Sequence, residues 1–535
     1  MLLGAAAFFI YCGWWVLIPT NIAWLDFADR AMHQLGWMFY RQAEWSLPPG
    51  RSPLLGIEIS NSIALVDGLP LFAIPFKLMA HWLPQPFQYW GYWLLLSFVL
   101  QSLFAWCIAR EFGAGRLAAL LAAAFVLITP AYLFRVPMHM ALSGHWTILA
   151  ALFLYVRREP PRLWMWPLLV AVTSAIHATL LAMVLALWAA ALVQRLWARR
   201  ARPVALVGEF GVGIVAALVV LWTVGFFGTG SYGSYGYGDY KLNLMWPIID
   251  YGWSRLFPDL PHTRLDYEGL SFFGVGVLAL LALAVVTGAV ARLRHALSRQ
   301  WLPLTLMVLA LMVFAFSKEL TLLGDNLVTL PVPGFVDAIG AAFRSTGRFV
   351  WPLLYVVTIG AVVLVAGRLR AVVALPMLVA AFAVQAWDSA PKWREFRAYM
   401  PAPTSTWSAA LKSPLWERAA AGGYNRIRSI PVDEGFGSDW KALGYFAVTH
   451  GMDIDTVYLG RVDAEALHDL RVHEEYVLLT GEFEPRTIYV LNVRTSLLAA
   501  KFAGPDDLIA VVDGRIVFLP GGRALGADLP QWSGD

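Results

Sequence analysis

Asp26, Asp29 and His33 crowd into the stretch LDFADRAMHQLGWMFYRQAEW, residues 25–45, directly after an apolar run that begins at Met1. A carboxylate near a helix end and partly withdrawn from water has its pKa raised toward a value useful for taking a proton from a hydroxyl. Asp29 fits that description better than Glu44, which lies farther along near the polar SLPPGRSP segment. Asp29 and His33 lie one helical turn apart, and His33 and Arg41 are the neighbours able to touch a substrate. The competing reading is an interfacial helix whose charges face water, because Leu25, Ala28, Met32, Leu35 and Phe39 recur at helical spacing.

A second set of residues could hold an anion. Arg344 and Arg348 in FRSTGRFVWP precede an apolar run on the side of the membrane where charge bias disfavours arginine, and guanidinium forks bind phosphate oxygens in pairs. At i and i+4 on one helical face they could instead pair with Asp337 or with lipid headgroups. Lys77 is a third cation, or a snorkelling anchor. Other polar residues at membrane edges are candidate substrate contacts: Glu58, Asp67, His139, His145 and Glu268. Asp239, Tyr240 and Asn243 join them from the loop GTGSYGSYGYGDYKLNLMWP, whose glycines and rings suit a lid stacking on sugar faces, or a set of interfacial aromatics. The histidine spacing makes no zinc site and HExxH is absent. No cofactor is required, although a divalent cation on Asp26, Asp29 and Glu268 is compatible with the residue types.

The elements that must carry these groups are membrane helices. Of the 535 residues 59% are hydrophobic and only 14% charged, and mean hydropathy is +0.61, too apolar for a soluble globular chain. Arginine clusters at 110/116, 157/158/162, 195/199/200/202, 292/294/299 and 368/370 all fall inside if the chain spans near 1–20, 88–109, 117–136, 141–156, 163–178, 179–195, 204–228, 270–291, 301–316, 349–366 and 371–387. That topology leaves 21–87, 137–140, 229–269, 317–348 and the C-terminal region outside. The segment at 62–82 is apolar but broken by Asp67, Pro70 and Pro75, which fits a re-entrant or surface-lying helix. Cys12 and Cys107 lie in spans and support neither a disulfide nor a metal site. A net charge of +4, with arginine placed where topology alone would put it, gives no nucleic-acid footprint.

The expected fold is therefore an α-helical polytopic membrane protein of about eleven spans over residues 1–388, with external loop 21–87 carrying amphipathic helices, and a small external α/β domain over 389–535. In that domain RIRSIPV, TVYLG, EYVLL, TIYVLNV and LIAVVDGRIVFLP read as strands, the last as a hairpin turning at Asp513–Gly514.

A first span, a long external loop with a carboxylate at its start, surface helices and a lysine after a proline-rich apolar helix together resemble the family C fold of membrane glycosyltransferases that use polyprenyl-phosphate sugars. DRAMHQLGWMFYR, ALVDGLPLFAIPFKL, YGYGDYKLNL, DYEGLSFFGVG and FRSTGRFVWPLLY carry the resemblance, between Asp29 and Tyr355. The family's usual adjacent acidic residues are here separated by two residues, so Asp29, the favoured choice, and Asp26 both stay open as the base or acceptor-positioning group. The resemblance implies transfer, with inversion, of a sugar from a polyprenyl-phosphate donor to a lipid, glycan or protein acceptor. It also implies a multi-pass protein of the bacterial inner membrane, lying in the lipid bilayer with its active site and C-terminal domain in the periplasm. The alternative is a transporter or flippase for lipid-linked sugars, although no internal repeat of the transporter kind is detected.

Overall fold

A computed structural model describes residues 1–59, 61–199, 201–227, 237–291, 298–400, 407, 411–432, 440–456 and 463–532. Its contacts divide the chain into two compact units: Met1–Trp24, Gln88–Val220 and Ser234–Thr404 form one, and Leu25–Phe87, Leu221–Gly233 and Ser405–Asp535 the other.

The first unit is helical. Trp90–Glu111, Ala178–Trp197, Pro203–Thr223, Thr346–Arg368 and Ala371–Ala398 are long and apolar enough to cross a membrane, and Arg116–Leu127 with Pro130–Met138 makes a sixth if the pair, bent by 48°, is one span. This fits a multi-pass membrane protein. The bend falls where Pro130 has no amide hydrogen to continue the ladder and Thr129 starts a new helix. Leu2–Tyr11, Met140–Val156, Met165–Ser174, Val275–Val286 and Leu302–Ala315 are shorter apolar helices at the other expected segments. The first ends well before Thr20, because Gly13 at φ +87° turns the chain into the single turn Trp14–Leu17. Packing is close enough to demand glycine at points: a Cβ on Gly91 would lie 1.9 Å from the Val16 carbonyl oxygen, and one on Gly276 would lie 2.2 Å from that of Ala381. A hairpin of β1 (Glu319–Leu322) and β2 (Asp325–Thr329) and the helix Gly334–Phe343 occupy the loop before Thr346.

The second unit is built on a five-stranded sheet of β3 (Arg426–Ile430), β4 (Asp453–Ile454), β5 (Thr487–Leu491), β6 (Leu508–Val512) and β7 (Arg515–Leu519), ordered β4-β3-β5-β7-β6. β3 runs parallel to β4 and β5, while β5, β7 and β6 are antiparallel. Asp513 and Gly514 both take positive φ, 49° and 77°, as the two-residue turn between β6 and β7 requires. Ile430, Leu478, Tyr489, Leu491, Ile509 and Phe518 form a core beside the sheet.

One strand expectation changes here. EYVLL is helical, part of Ala464–Thr480, which Asp463 caps by accepting from the Glu465 and Ala466 amides and Gly481 ends in a left-handed turn. TVYLG contributes Thr456 just past β4, and 457–460 lie outside the described residues. The boundary expected at 388/389 is crossed by the continuous helix Ala371–Ala398.

Of the loop expected at 21–87, residues 25–87 share the unit of the C-terminal sheet. Its residues 54–56 extend the sheet at β4, with the Gly56 amide donating to Ile454 O at 2.8 Å and the Ile454 amide to Leu54 O at 3.0 Å. The opening stretch is helical over Ala28–Gln42, yet Arg30, His33 and Gln34 are buried along with Leu35 and Phe39. It is therefore no water-facing amphipath: helix Trp440–Thr449 covers one side, where Leu35 meets Gly444, and Gln34 and Trp37 donate to Phe87 O on another. The segment at 62–82 yields only the nine-residue helix Pro70–Leu78 and the turn Ala80–Trp82. At about 1.5 Å per residue that helix falls far short of a bilayer core of roughly 30 Å.

Candidate functional site

Two glycines bring the most concentrated charge of the first unit together. Gly269 follows Glu268, Gly347 precedes Arg348, and both lie against the backbone of Lys241, where a Cβ would come within 2.5 Å and 2.8 Å of its carbonyl oxygen. The Gly347 amide donates to Tyr240 O at 3.0 Å and the Leu242 amide to Ala315 O at 2.9 Å, so residues 240–242 thread between these turns. Glu268 and Arg348 are thereby held side by side.

Glu268 is the hub. Its Oε2 accepts from Arg348 Nη2 at 2.7 Å, Arg348 Nε at 3.0 Å and Arg135 Nη1 at 2.8 Å, and its backbone carbonyl accepts from Arg135 Nη2 at 2.8 Å. His139 Nε2 lies 3.3 Å from Oε1. Arg135 comes from the second arm of the bent helix pair and His139 from its end. Burial alone would raise the Glu268 carboxyl, but the charges of Arg135 and Arg348 and the His139 hydrogen bond outweigh it and hold the group well below the usual carboxylate range. The Arg135 side chain is wholly buried and that of Glu268 nearly so. Two guanidinium groups on one carboxylate oxygen leave a positive charge in excess, which a second anion could neutralise.

A buried polar chain begins beside this cluster. The Arg135 guanidinium lies 5.4 Å from the centre of the Trp351 ring, which lies 4.0 Å from the His145 ring and is tilted 35° to it. His145 Nδ1 lies 2.5 Å from Tyr355 Oη, which accepts from Gln101 Nε2 at 2.9 Å. His145 Nε2 has no hydrogen-bond partner among the described residues. His177 caps the helix Ala178–Trp197 through the Thr179 amide, a structural role.

The acidic residues of the second unit are engaged differently. Asp29 stands half-buried in the first turn of Ala28–Gln42, and Asp26 pairs with Lys441 at 2.8 Å. His33 is buried. Arg41 donates to the carbonyls of Ala80, Leu83 and Pro84, each at 2.7 Å, and so ties the helix to the 80–84 turn. Lys77 is buried with its ammonium 4.1 Å from the Tyr40 ring centre and 4.6 Å from that of Trp45; burial lowers it to about 8. Glu58 forms a two-point pair with Arg428 on β3, and Asp67 takes a left-handed φ of 50°.

Residues 1–390 match the family model described as "Domain of unknown function (DUF6311)", and residues 415–520 match the DUF6311 C-terminal domain. The chain belongs to the DUF6311 family. No curated protein matches it. The C-terminal DUF6311 match contains β3 through β7, whereas residues 25–87, inside the longer match, share a compact unit with that sheet.

In this DUF6311 chain three residues singled out from sequence, His139, Glu268 and Arg348, converge on one site. Arg344 does not join them as expected: at φ 58° it terminates helix Gly334–Phe343, breaking the helical face it was to share with Arg348, and its guanidinium lies 5.8 Å from the Tyr240 ring centre. Asn243 has a structural role, donating to Asp266 and Leu323 O and accepting from the Met245 and Leu323 amides. Asp239 is half-buried, and the glycine- and tyrosine-rich stretch at 228–236 expected to form a lid lies outside the described residues. Among the described residues no three His, Cys, Asp or Glu side chains gather as metal ligands. Arg135 went unselected from sequence; the available signal was a lone arginine in LITPAYLFRVPMHMAL, an apolar stretch where an ionisable residue is a site candidate by default.

Proposed function

We propose that this protein is an inner-membrane glycosyltransferase that moves a sugar from a polyprenyl-phosphate donor to a lipid, glycan or protein acceptor outside the cytoplasm. The observation that carries this reading is the pair of guanidinium groups on the single carboxylate Glu268, a buried anion site with positive charge in excess. In the proposed reaction the donor phosphate takes the place of the Glu268 carboxylate on Arg348 and Arg135. The acceptor hydroxyl loses its proton to a carboxylate as its oxygen attacks the anomeric carbon; the family resemblance gives that role to Asp29, with Asp26 the second choice. The bond from that carbon to the phosphate oxygen breaks, and the leaving phosphate keeps the electron pair, stabilised by the arginines. Attack opposite the leaving group inverts the anomeric configuration.

The finer topology belongs to the same proposal. The shorter apolar helices cross with the longer ones, giving eleven spans, and charge bias then puts Glu268, Arg348 and the C-terminal sheet on the periplasmic side of a bacterial inner membrane.

The test is transfer of labelled sugar from a panel of polyprenyl-phosphate sugars in membranes carrying the wild-type chain, Arg348→Ala or Asp29→Asn. Wild-type transfer that falls by about 10²-fold or more in both variants, with folding intact, supports the reading. Donor binding or crossing without any transfer, indifferent to Asp29→Asn, refutes it and favours a lipid-linked-sugar transporter.

A further inference from the structure

Arg428 on β3 is surrounded by more carboxylates than one guanidinium can serve. Its Nη1 and Nη2 donate to Glu58 at 3.1 and 2.5 Å, and its Nε and Nη2 donate to Glu484 at 3.2 Å each. Asp455, one residue past β4, stands 3.7 Å from Nη1, beyond hydrogen-bonding reach. Its Oδ1 accepts from the Ser429 amide at 2.9 Å and the Thr456 hydroxyl at 3.2 Å, while Oδ2 has no hydrogen-bond partner among the described residues. Glu474, on helix Ala464–Thr480, is alike: Oε2 accepts from the Val432 amide at 3.1 Å and Oε1 has no hydrogen-bond partner among the described residues. Asp455 is fully buried and Glu474 is 6% exposed.

The charges facing these two acids, among the described residues, are Arg428 from β3, Glu58 from the turn Ile57–Ile59, Glu484 from the segment before β5 and Arg471 from the helix of Glu474. Arg426 is engaged elsewhere, with Glu484 and Asp453. If every carboxylate ionised, negative charge would exceed positive in a buried place, and an acid oxygen with no donor keeps its proton. Burial raises Asp455 to about 7 and Glu474 to about 8, the Ser429 and Val432 amides and Arg428 offsetting it only in part. Glu58 belongs to the strip whose residues 54–56 pair with Ile454, so whichever carboxylate holds Arg428 decides how firmly that strip is held.

We propose that Arg428 is a proton-gated clasp on the strip at 54–59: while Asp455 is protonated the guanidinium holds Glu58, and when Asp455 ionises it draws Arg428 away and the strip loosens. No atom needs to travel far, since Asp455 already waits at 3.7 Å. Glu58 and Arg428 are then positioning residues for the strip, and the clasp operates whatever reaction the protein performs.

Amide hydrogen exchange of the full-length chain in detergent tests this, read at residues 54–59 from about pH 5.5 to about 8.5 and divided by intrinsic rates. Wild-type protection falls by about tenfold across that range, Asp455→Asn keeps it at high pH, and Arg428→Gln lacks it throughout. Wild-type protection that ignores pH, or a fall that persists unchanged in Asp455→Asn, overturns the clasp. Should Asp455→Asn not fold, Glu58→Gln replaces it: with the clasped carboxylate gone, protection at 54–59 is low and indifferent to pH, and protection that keeps the wild-type pH dependence overturns the clasp equally.

Discussion

Replacing Glu268 with Gln keeps the shape of the hub and removes its charge. Arg135 and Arg348 both reach the same Oε2, at 2.8 and 2.7 Å. With charge centres roughly 4 Å apart, each attraction is about 4 kcal/mol at an effective dielectric near 20. Much of that gross loss is offset, because an amide costs less to bury than a carboxylate, while the two guanidinium groups are left repelling each other. The net expectation is the usual cost of breaking a buried pair, about 3–5 kcal/mol. What makes the variant diagnostic is recovery. Sulfate or phosphate can enter beside the two arginines, and an anion at a hundred times its Kd restores about 2.7 kcal/mol. The assay is thermal unfolding in detergent followed by tryptophan fluorescence. Glu268→Gln should melt below wild type and gain more from sulfate than wild type does, with chloride at equal ionic strength giving no such gain. Wild-type stability in Glu268→Gln, or a loss that sulfate and chloride repair equally, would refute the anion-site reasoning.

Three further outcomes follow from the geometry. The folded pKa values of Asp455 and Glu474 lie above their unfolded values, at about 7 and about 8, so between roughly pH 4 and those values the folded unit binds more protons than the unfolded chain. Its stability therefore falls as pH rises through that window, and melting temperatures at about pH 5 should exceed those at about pH 8, a difference that shrinks in Glu474→Gln. Gly91→Ala puts a methyl group 1.9 Å from the Val16 carbonyl oxygen, inside any allowed contact, and should prevent accumulation of folded protein, read as loss of a monodisperse peak on size exclusion. Arg41→Ala strips the donor from three carbonyls and should cost about 2–3 kcal/mol, read as a lower melting temperature and faster proteolysis near Leu83.

Local chemistry made much of the fold legible. Asp513–Gly514 announces its turn because only such residues accept positive φ at both positions, and TIYVLNV holds the short continuous apolar run of a strand buried on both faces. EYVLL misled because four apolar and aromatic residues after a glutamate cannot distinguish strand from buried helix, and the Asp463 cap and Gly481 stop that decide it lie outside them. At the candidate site, Arg348 and Glu268 could be picked singly as charges at the ends of apolar runs. Their pairing could not, because it depends on two glycines meeting one backbone at Lys241.

By itself, then, the sequence determined that the chain is a multi-pass helical protein, where its apolar helices begin, and that a small sheet follows them. Each of those rests on free energy that neighbouring residues supply: apolar transfer, backbone satisfaction within a helix, and turn conformation. Only the tertiary structure decided that Arg135 and Arg348 share Glu268, that Arg41 and Asn243 serve carbonyls and amides, and that residues 25–87 fold with a sheet that begins hundreds of residues later. A charged side chain is placed by whichever partner burial leaves within reach, and that partner can stand anywhere in the chain.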